Sequence, residues 1–246
     1  MNIFEIMTKK WNEKATDQFR HIEINQTILD NYEKYLDGID LKDKVVIDYG
    51  CGGGYLGKYL FEKKGIKKYI GFDICDISIN AAKKLLKEYD AKIIKVKSHI
   101  DFSQYKADVF VSLECIQHFP TKKYLDNFLK GVNSSKIKEL LIQYRFGNLI
   151  FTPANVMTWM CKLPLGYLTN HLTNYIPITR NKHIADRIRK EWIYFKDKKE
   201  DTVFENNYIK IVEDKEGNIE SIETKKSKEE ILTEENIEVI ENTEEI

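Results

Sequence analysis

Cysteine and proline are scarce in this chain, with four of each among 246 residues. Cys51, Cys75, Cys115 and Cys161 form no C-x-x-C pair, and none stands at a zinc-ligand spacing from a histidine. That removes the sequence case for a metal site or a dithiol redox centre, and scattered single cysteines fit a reducing compartment. Long apolar runs are also missing. The best candidate, Leu149 to Leu168, carries Lys162 and is broken by Pro153, Asn155 and Pro164, so no stable membrane insertion is expected. The N-terminal MNIFEIMTKKWNEK lacks the apolar stretch of a signal peptide, which points to the cytoplasm. There is no internal repeat and no appended basic nucleic-acid module, so no nucleic-acid partner is expected.

What is present suits an ordinary globular domain. Hydrophobic residues make up 42 % and aromatics 12 %, enough to fill a sizeable core, while charged residues reach 32 %. The formal net charge is zero, but it is unevenly spread. Residues 229–246 hold eight glutamates and no Lys or Arg; the remainder carries 39 basic against 31 acidic residues, a net of +8. A positive body favours an anionic acceptor; ordinary solvated surface charge is the alternative.

Residues 1–40 read as a helical cap, with Ile22, Ile24, Ile28, Leu29, Tyr32 and Leu36 near helical spacing and Gly38 as a stop. Five apolar segments then alternate with helical patterns: KVVIDYG, KYIGFD, AKIIKVK, ADVFVSL and KELLIQYRF. This predicts an α/β fold, a Rossmann-like doubly wound sheet, mostly parallel. After the fifth strand, residues 147–182 are rich in aromatics, Leu and Thr, and are expected to form a helical lid insertion. Residues 183–190 resume a charged helix. EWIYFKD, NNYIKIVED and NIESIET read as strands that can supply an antiparallel C-terminal hairpin, with Lys215-Glu216-Gly217-Asn218 as a tight turn. The expected organisation is thus a cap over 1–40, a domain over 41–228 and an acidic tail over 229–246.

The chemistry concentrates in Asp48-Tyr49-Gly50-Cys51-Gly52-Gly53-Gly54, a D-x-G-x-G-x-G loop between a strand and a helix. Glycine lets the chain turn sharply and lie against a ligand without an intervening side chain. A dinucleotide loop would read G-x-G-x-x-G, but its last position here is Tyr55. The acidic residue before the first glycine fits a ligand with an ammonium and a sulfonium better than a pyrophosphate. The segment resembles motif I of class I S-adenosylmethionine-dependent methyltransferases. That resemblance implies S-adenosylmethionine as cofactor, held by Asp48, Gly50, Cys51 and Gly52, with Asp48 orienting the amino group. It implies further that Asp73, closing KYIGFD, takes the ribose diol and that Ile74 packs on the adenine. After the third strand, Asp101 or Ser98 is the candidate for the adenine amino group.

The fourth strand ends SLECIQHFP and resembles the corresponding segment of small-molecule methyltransferases. This places Leu113 and Glu114 beside the cofactor. His118 suits a general base for a hydroxyl, or else a histidine that caps or packs the next helix. Gln117 is a candidate substrate contact. Tyr144 and Arg145 close the fifth strand; Arg145 can clamp a phosphate or carboxylate or form a structural ion pair. The amino-methylating signature Asp/Asn/Ser-Pro-Pro-aromatic is absent, and Cys115 follows Glu114 rather than the proline of cytosine-C5 enzymes. The expected reaction is methyl transfer to an oxygen of a sugar or phosphorylated metabolite. The alternatives are a lipid-like or quinone acceptor, and a binding protein that keeps the fold without turnover. A homodimer is left open.

Overall fold

The computed structural model describes residues 2–18, 26–152, 160–185, 188–198, 209–213 and 219–224. Contacts divide the chain into two compact units, 1–200 and 201–246. Two helices come first, α1 (Ile3–Gln18) and α2 (Gln26–Tyr35). Asn2 and Glu5 exchange backbone-to-side-chain bonds of 2.9 and 3.0 Å, a capping box that starts α1. Residues 19–25, with Ile22 and Ile24 of the expected cap, lie outside the described residues.

The alternating core follows as β1 (Val45–Tyr49), α3 (Tyr55–Tyr59, continued by a π turn Leu60–Lys64), β2 (Lys68–Asp73), α4 (Asp76–Leu85), β3 (Ala91–Lys95), β4 (Val109–Ser112), α5 (Lys122–Asn133) and β5 (Glu139–Arg145). The five strands pair in parallel. Inward of the edge strand β3, both faces are buried, so β1, β2, β4 and β5 are apolar at successive positions. Ile47, Phe72 and Phe110 face one core cluster; Val46, Tyr69 and Val111 face the other. α5 shows the helical counterpart: Thr121 caps it through Tyr124 N at 3.1 Å, and Tyr124, Leu125, Phe128, Leu129 and Val132 form its buried stripe.

Beyond β5 the chain departs from the helical lid expected over 147–182. β6 (Ile150–Thr152) and β7 (Met160–Lys162) form a small antiparallel ladder, and among the described residues of this stretch the helical structure is α6 (Leu165–His171). The segment is pinned rather than free, because Cys161, Leu163, Leu168 and Leu172 are wholly buried. The charged helix expected at 183–190 is instead the meeting of two long strands, β8 (Tyr175–Ala185) and β9 (Ile188–Asp197), paired antiparallel. The polar residues of 183–190 hid the strand ends there, whereas Trp192, Ile193 and Phe195, which go inside, lie in the EWIYFKD segment expected as a strand. EWIYFKD does close the sheet, as part of β9 against β5, but its hairpin partner is β8. The other two segments, β10 (Ile209–Glu213) and β11 (Ile219–Thr224), pair with each other as a separate sheet in the second unit. The expected turn between them, Trp159 and the acidic tail lie outside the described residues.

The main sheet runs β3-β2-β1-β4-β5-β9-β8. Strand order reverses between β1 and β4, and a ligand crevice forms beyond the carboxyl ends of strands at such a point. The D-x-G-x-G-x-G loop leaves β1 there, and the Glu114–His118 segment leaves β4 beside it.

Candidate functional site

The loop after β1 is tied to β2 by two bonds: Gly50 N and Cys51 N both donate to the Phe72 carbonyl, at 2.7 and 3.0 Å. Gly50 has φ +88°, and a Cβ there would stand 2.5 Å from Cys115 Sγ. No side chain fits between these two loops. Gly52 has φ +52°, and a Cβ there would meet nothing within 4 Å, so its bare backbone faces open space.

That space is a cavity of about 180 Å³. Its floor is Gly50, Gly52, Asp73 and Ile74; Glu114, Cys115 and His118 form the facing wall; Phe119, Tyr124 and Tyr49 close the back. Met7, Trp11 and Ala15 of α1 complete it. These three were missed by the sequence reading, although their four-residue spacing is a helical stripe visible in the sequence.

Asp73 is oriented by backbone donors. Gly52 N and Cys75 N each donate to one of its carboxylate oxygens at 2.8 Å. Burial raises its pKa, and these backbone bonds pull the other way. With Ile74 N also acting on the carboxylate, acceptor capacity remains for a further donor. Asp48 behaves differently. It is 3 % exposed, does not line the cavity, and accepts from Tyr69 Oη at 2.5 Å. Burial, opposed by the Tyr69 bond and aided by the nearby Asp73 charge, pushes its pKa up to about 7. The Cys51 side chain also turns away, into the core cluster on the far face of the sheet; only its backbone belongs to the loop.

At the facing wall, Glu114 has φ +53°, a strained value for a residue with a side chain. Gln143 Oε1 holds it there by accepting from Glu114 N at 2.7 Å. The Glu114 carboxylate accepts from Lys190 Nζ and from Gln117 Nε2, each at 2.5 Å. His118 lies on the wall with its ring 5.3 Å from that of Trp11, edge to face, and its Nε2 is 3.4 Å from Gln117 Nε2.

Several candidates fall elsewhere. Asp101 is exposed and off the cavity, where its carboxylate accepts from Ser103 N at 2.9 Å and caps a short turn. Ser98 is likewise exposed. Leu113 packs in the core, not on the wall. Gln117 is 2 % exposed and braces Glu114 from behind. Tyr144 is wholly buried in the core, donates to Glu191, which it faces across the β5–β9 pairing, and does not line the cavity. Arg145 is half-buried and does not line the cavity. Among the described residues, no group of three or more His, Cys, Asp or Glu side chains is arranged to hold a metal ion.

With this geometry in hand, the resemblance to known proteins is specific. A family model described as a methyltransferase domain matches residues 19–135, spanning the loop after β1 through α5. A ubiquinone biosynthesis O-methyltransferase of Neisseria meningitidis serogroup C is 28% identical over 123 residues, 48% of this chain and 50% of that protein. A ribosomal-protein methyltransferase of Colwellia psychrerythraea is 37% identical over 82 residues, 32% of this chain and 27% of that protein. The chain thus spans half or less of the length of these curated relatives. The crystal structure of magnesium protoporphyrin IX methyltransferase from Synechocystis PCC 6803, with bound S-adenosylmethionine, superposes with a TM-score of 0.59 at 15% identity, covering 80% of this chain and 98% of that one. The names of these proteins point to unlike acceptors. Residues 19–135 thus match a methyltransferase domain, and the sheet order and superposition show the class I methyltransferase fold.

Proposed function

We propose that the chain transfers a methyl group from S-adenosylmethionine to an oxygen of a planar, largely apolar small molecule, with His118 as the base. The observation that carries this reading is the composition of this cavity. Bare loop backbone and a buried carboxylate floor it, a histidine stands on the facing wall, and Trp11, Phe119 and Tyr124 surround the space between.

The residues present fit the cofactor. Gly52 leaves room that any side chain would fill, and Asp73 holds two oriented oxygens with acceptor capacity left for a diol. Ile74 offers an apolar surface beside it. When bound, S-adenosylmethionine supplies a methyl group already activated by a sulfonium. The protein's part is to orient the acceptor, exclude water and remove the hydroxyl proton. His118 meets the last need, because its ring lies on the cavity wall and is braced by Trp11.

The sugar or phosphorylated acceptor suggested by charge loses support, since Tyr144 and Arg145 do not line the cavity. An aromatic-walled site favours flat acceptors such as phenols and quinols, which agrees with the ubiquinone O-methyltransferase relative. The test is methyl transfer by purified protein from labelled S-adenosylmethionine to two panels, phenols and quinols against nucleotide-linked sugars and sugar phosphates. Turnover confined to the first supports this acceptor class; turnover confined to the second overturns it. Binding of S-adenosylhomocysteine with no turnover on either would favour the non-catalytic alternative.

A further inference from the structure

The back of the cavity is aromatic, yet it carries two hydroxyls. Tyr49 ends β1, and Tyr124 stands in the first turn of α5, where Thr121 Oγ1 accepts from its backbone N at 3.1 Å. Both side chains are buried and line the cavity. Tyr49 packs against Phe72 and Phe128 at ring distances of 6.4 and 4.7 Å. Tyr124 packs against His99 and Phe119 at 5.0 and 4.8 Å. Rings held this closely fix where their hydroxyls lie. The two oxygens are 3.1 Å apart and share a hydrogen bond.

That bond does not use all that the pair can offer. Each hydroxyl has one proton and two lone pairs. Whichever phenol donates, the other keeps a proton, and lone pairs remain on both. Among the described residues, neither hydroxyl has a second partner. Burial pushes both pKa values up, so both protons stay in place at neutral pH. The pair therefore presents one donor and one acceptor, side by side, to a ligand in the cavity.

Its place decides which part of a ligand it meets. Two residues of α1 mark the distance from the base: Phe4 packs against Tyr124 and Trp11 against His118, each at 5.3 Å. Seven residues of helix rise about 10 Å. The phenols thus stand away from His118, on the side of Phe72 in β2 and of Val96 and His99 after β3. This is the side where Asp101 or Ser98 was expected to meet the adenine, and neither lines the cavity.

We propose that the hydroxyls of Tyr49 and Tyr124 together read the adenine of S-adenosyl ligands, in place of a polar side chain from the loop after β3. The proposal rests on the reading that this cavity binds the cofactor. Adenine carries an amino donor beside a ring-nitrogen acceptor, the complement of the acceptor and donor of the phenol pair. The reacting centre belongs with His118, which leaves the phenols for the base at the other end of the ligand.

The test is calorimetry on the full chain with S-adenosylhomocysteine and with its analogue carrying purine, which lacks the amino group. Wild type is compared with Tyr49→Phe, Tyr124→Phe and the double variant. Removing both hydroxyls together leaves no buried donor stranded, so Tm should change little. The double variant should bind S-adenosylhomocysteine about tenfold more weakly or worse, and each single variant should lose less. Wild type should prefer adenine over purine, and the double variant should lose most of that preference. Unchanged affinity in the double variant would reduce the pair to packing and overturn the proposal. Equal losses for both ligands would overturn it too, because the hydroxyls would then not read the amino group. A raised acceptor KM with unchanged S-adenosylhomocysteine affinity would move the pair to the acceptor and also overturn it. Failure of wild type to bind S-adenosylhomocysteine would defeat the underlying reading instead.

Discussion

The loop after β1 offers the cavity bare backbone at Gly50 and Gly52, whereas the segment after β4 offers the side chains of Glu114, Cys115 and His118. The first surface is specified by what must be absent, since a Cβ would strike Cys115 or fill the cavity. The second is specified by what holds its residues: Gln143 at the Glu114 backbone N, Gln117 and Lys190 at the Glu114 carboxylate, and Trp11 at the His118 ring. A backbone surface recognises one constant ligand and tolerates little change. A side-chain surface can be rebuilt for a new acceptor without moving the sheet. The contrast is consistent with similar proteins being named for a quinone pathway, a ribosomal protein and a metalloporphyrin.

The largest expected effect separates the two surfaces by function. His118→Ala should lower kcat by roughly 10²–10⁴ for an acceptor that must lose a hydroxyl proton, while S-adenosylhomocysteine affinity by calorimetry stays unchanged. Equal turnover in the variant would return His118 to a packing role. Gly52→Val should do the reverse. It forces a β-branched residue to φ +52° and fills the open space, so binding should weaken by about 100-fold or more, roughly 2.7 kcal/mol. Retained affinity would break the assignment of the backbone surface.

The same contrast governs what the sequence could reveal. β1 to β5 and their helices were legible because buried parallel strands write an unbroken apolar run and glycines mark the turn. Asp73 and Ile74 were found on the cavity floor because they follow a strand at a fixed distance from that turn. Tyr144 and Arg145 were picked for their place at the end of β5, yet neither lines the cavity: Tyr144 is turned into the core against Glu191 of β9, a pairing between distant segments that no local pattern shows. Asp101 was misplaced because a carboxylate that caps a turn reads like one that binds a ligand. Trp11 was overlooked although it lies in the opening segment. Nothing local to it reveals that α1 lies over a cavity whose other walls come from β1, β2 and β4.

Asp48 tests the buried side of the backbone surface. Its folded pKa is about 7, above the usual 3.8, chiefly because of burial. The folded state therefore holds this proton to higher pH than the unfolded chain does. The stabilisation is complete below about pH 4 and is lost as pH rises toward 7. Asp48→Asn removes the cost of ionisation. The apo variant should match wild type near pH 4 and exceed it at pH 8, by an amount on the order of a few kcal/mol. Parallel melting curves across that range would contradict the assigned shift. If Asp48 also meets the cofactor's ammonium, saturating S-adenosylhomocysteine should flatten the wild-type dependence and leave the variant's unchanged.

The smallest effect is the most diagnostic for the acceptor end. Tyr144→Phe deletes a hydroxyl that donates to wholly buried Glu191. Losing one donor to a buried carboxylate costs about 1–3 kcal/mol, read as a lower midpoint in denaturant. Because the ring faces the core, acceptor KM and cofactor affinity should not move. Trp11→Ala supplies the opposite pattern, since its ring walls the cavity beside His118: acceptor KM should rise severalfold. If Tyr144→Phe raised acceptor KM while Trp11→Ala did not, the acceptor would lie along β5 rather than under α1, and the aromatic-walled site would have to be abandoned.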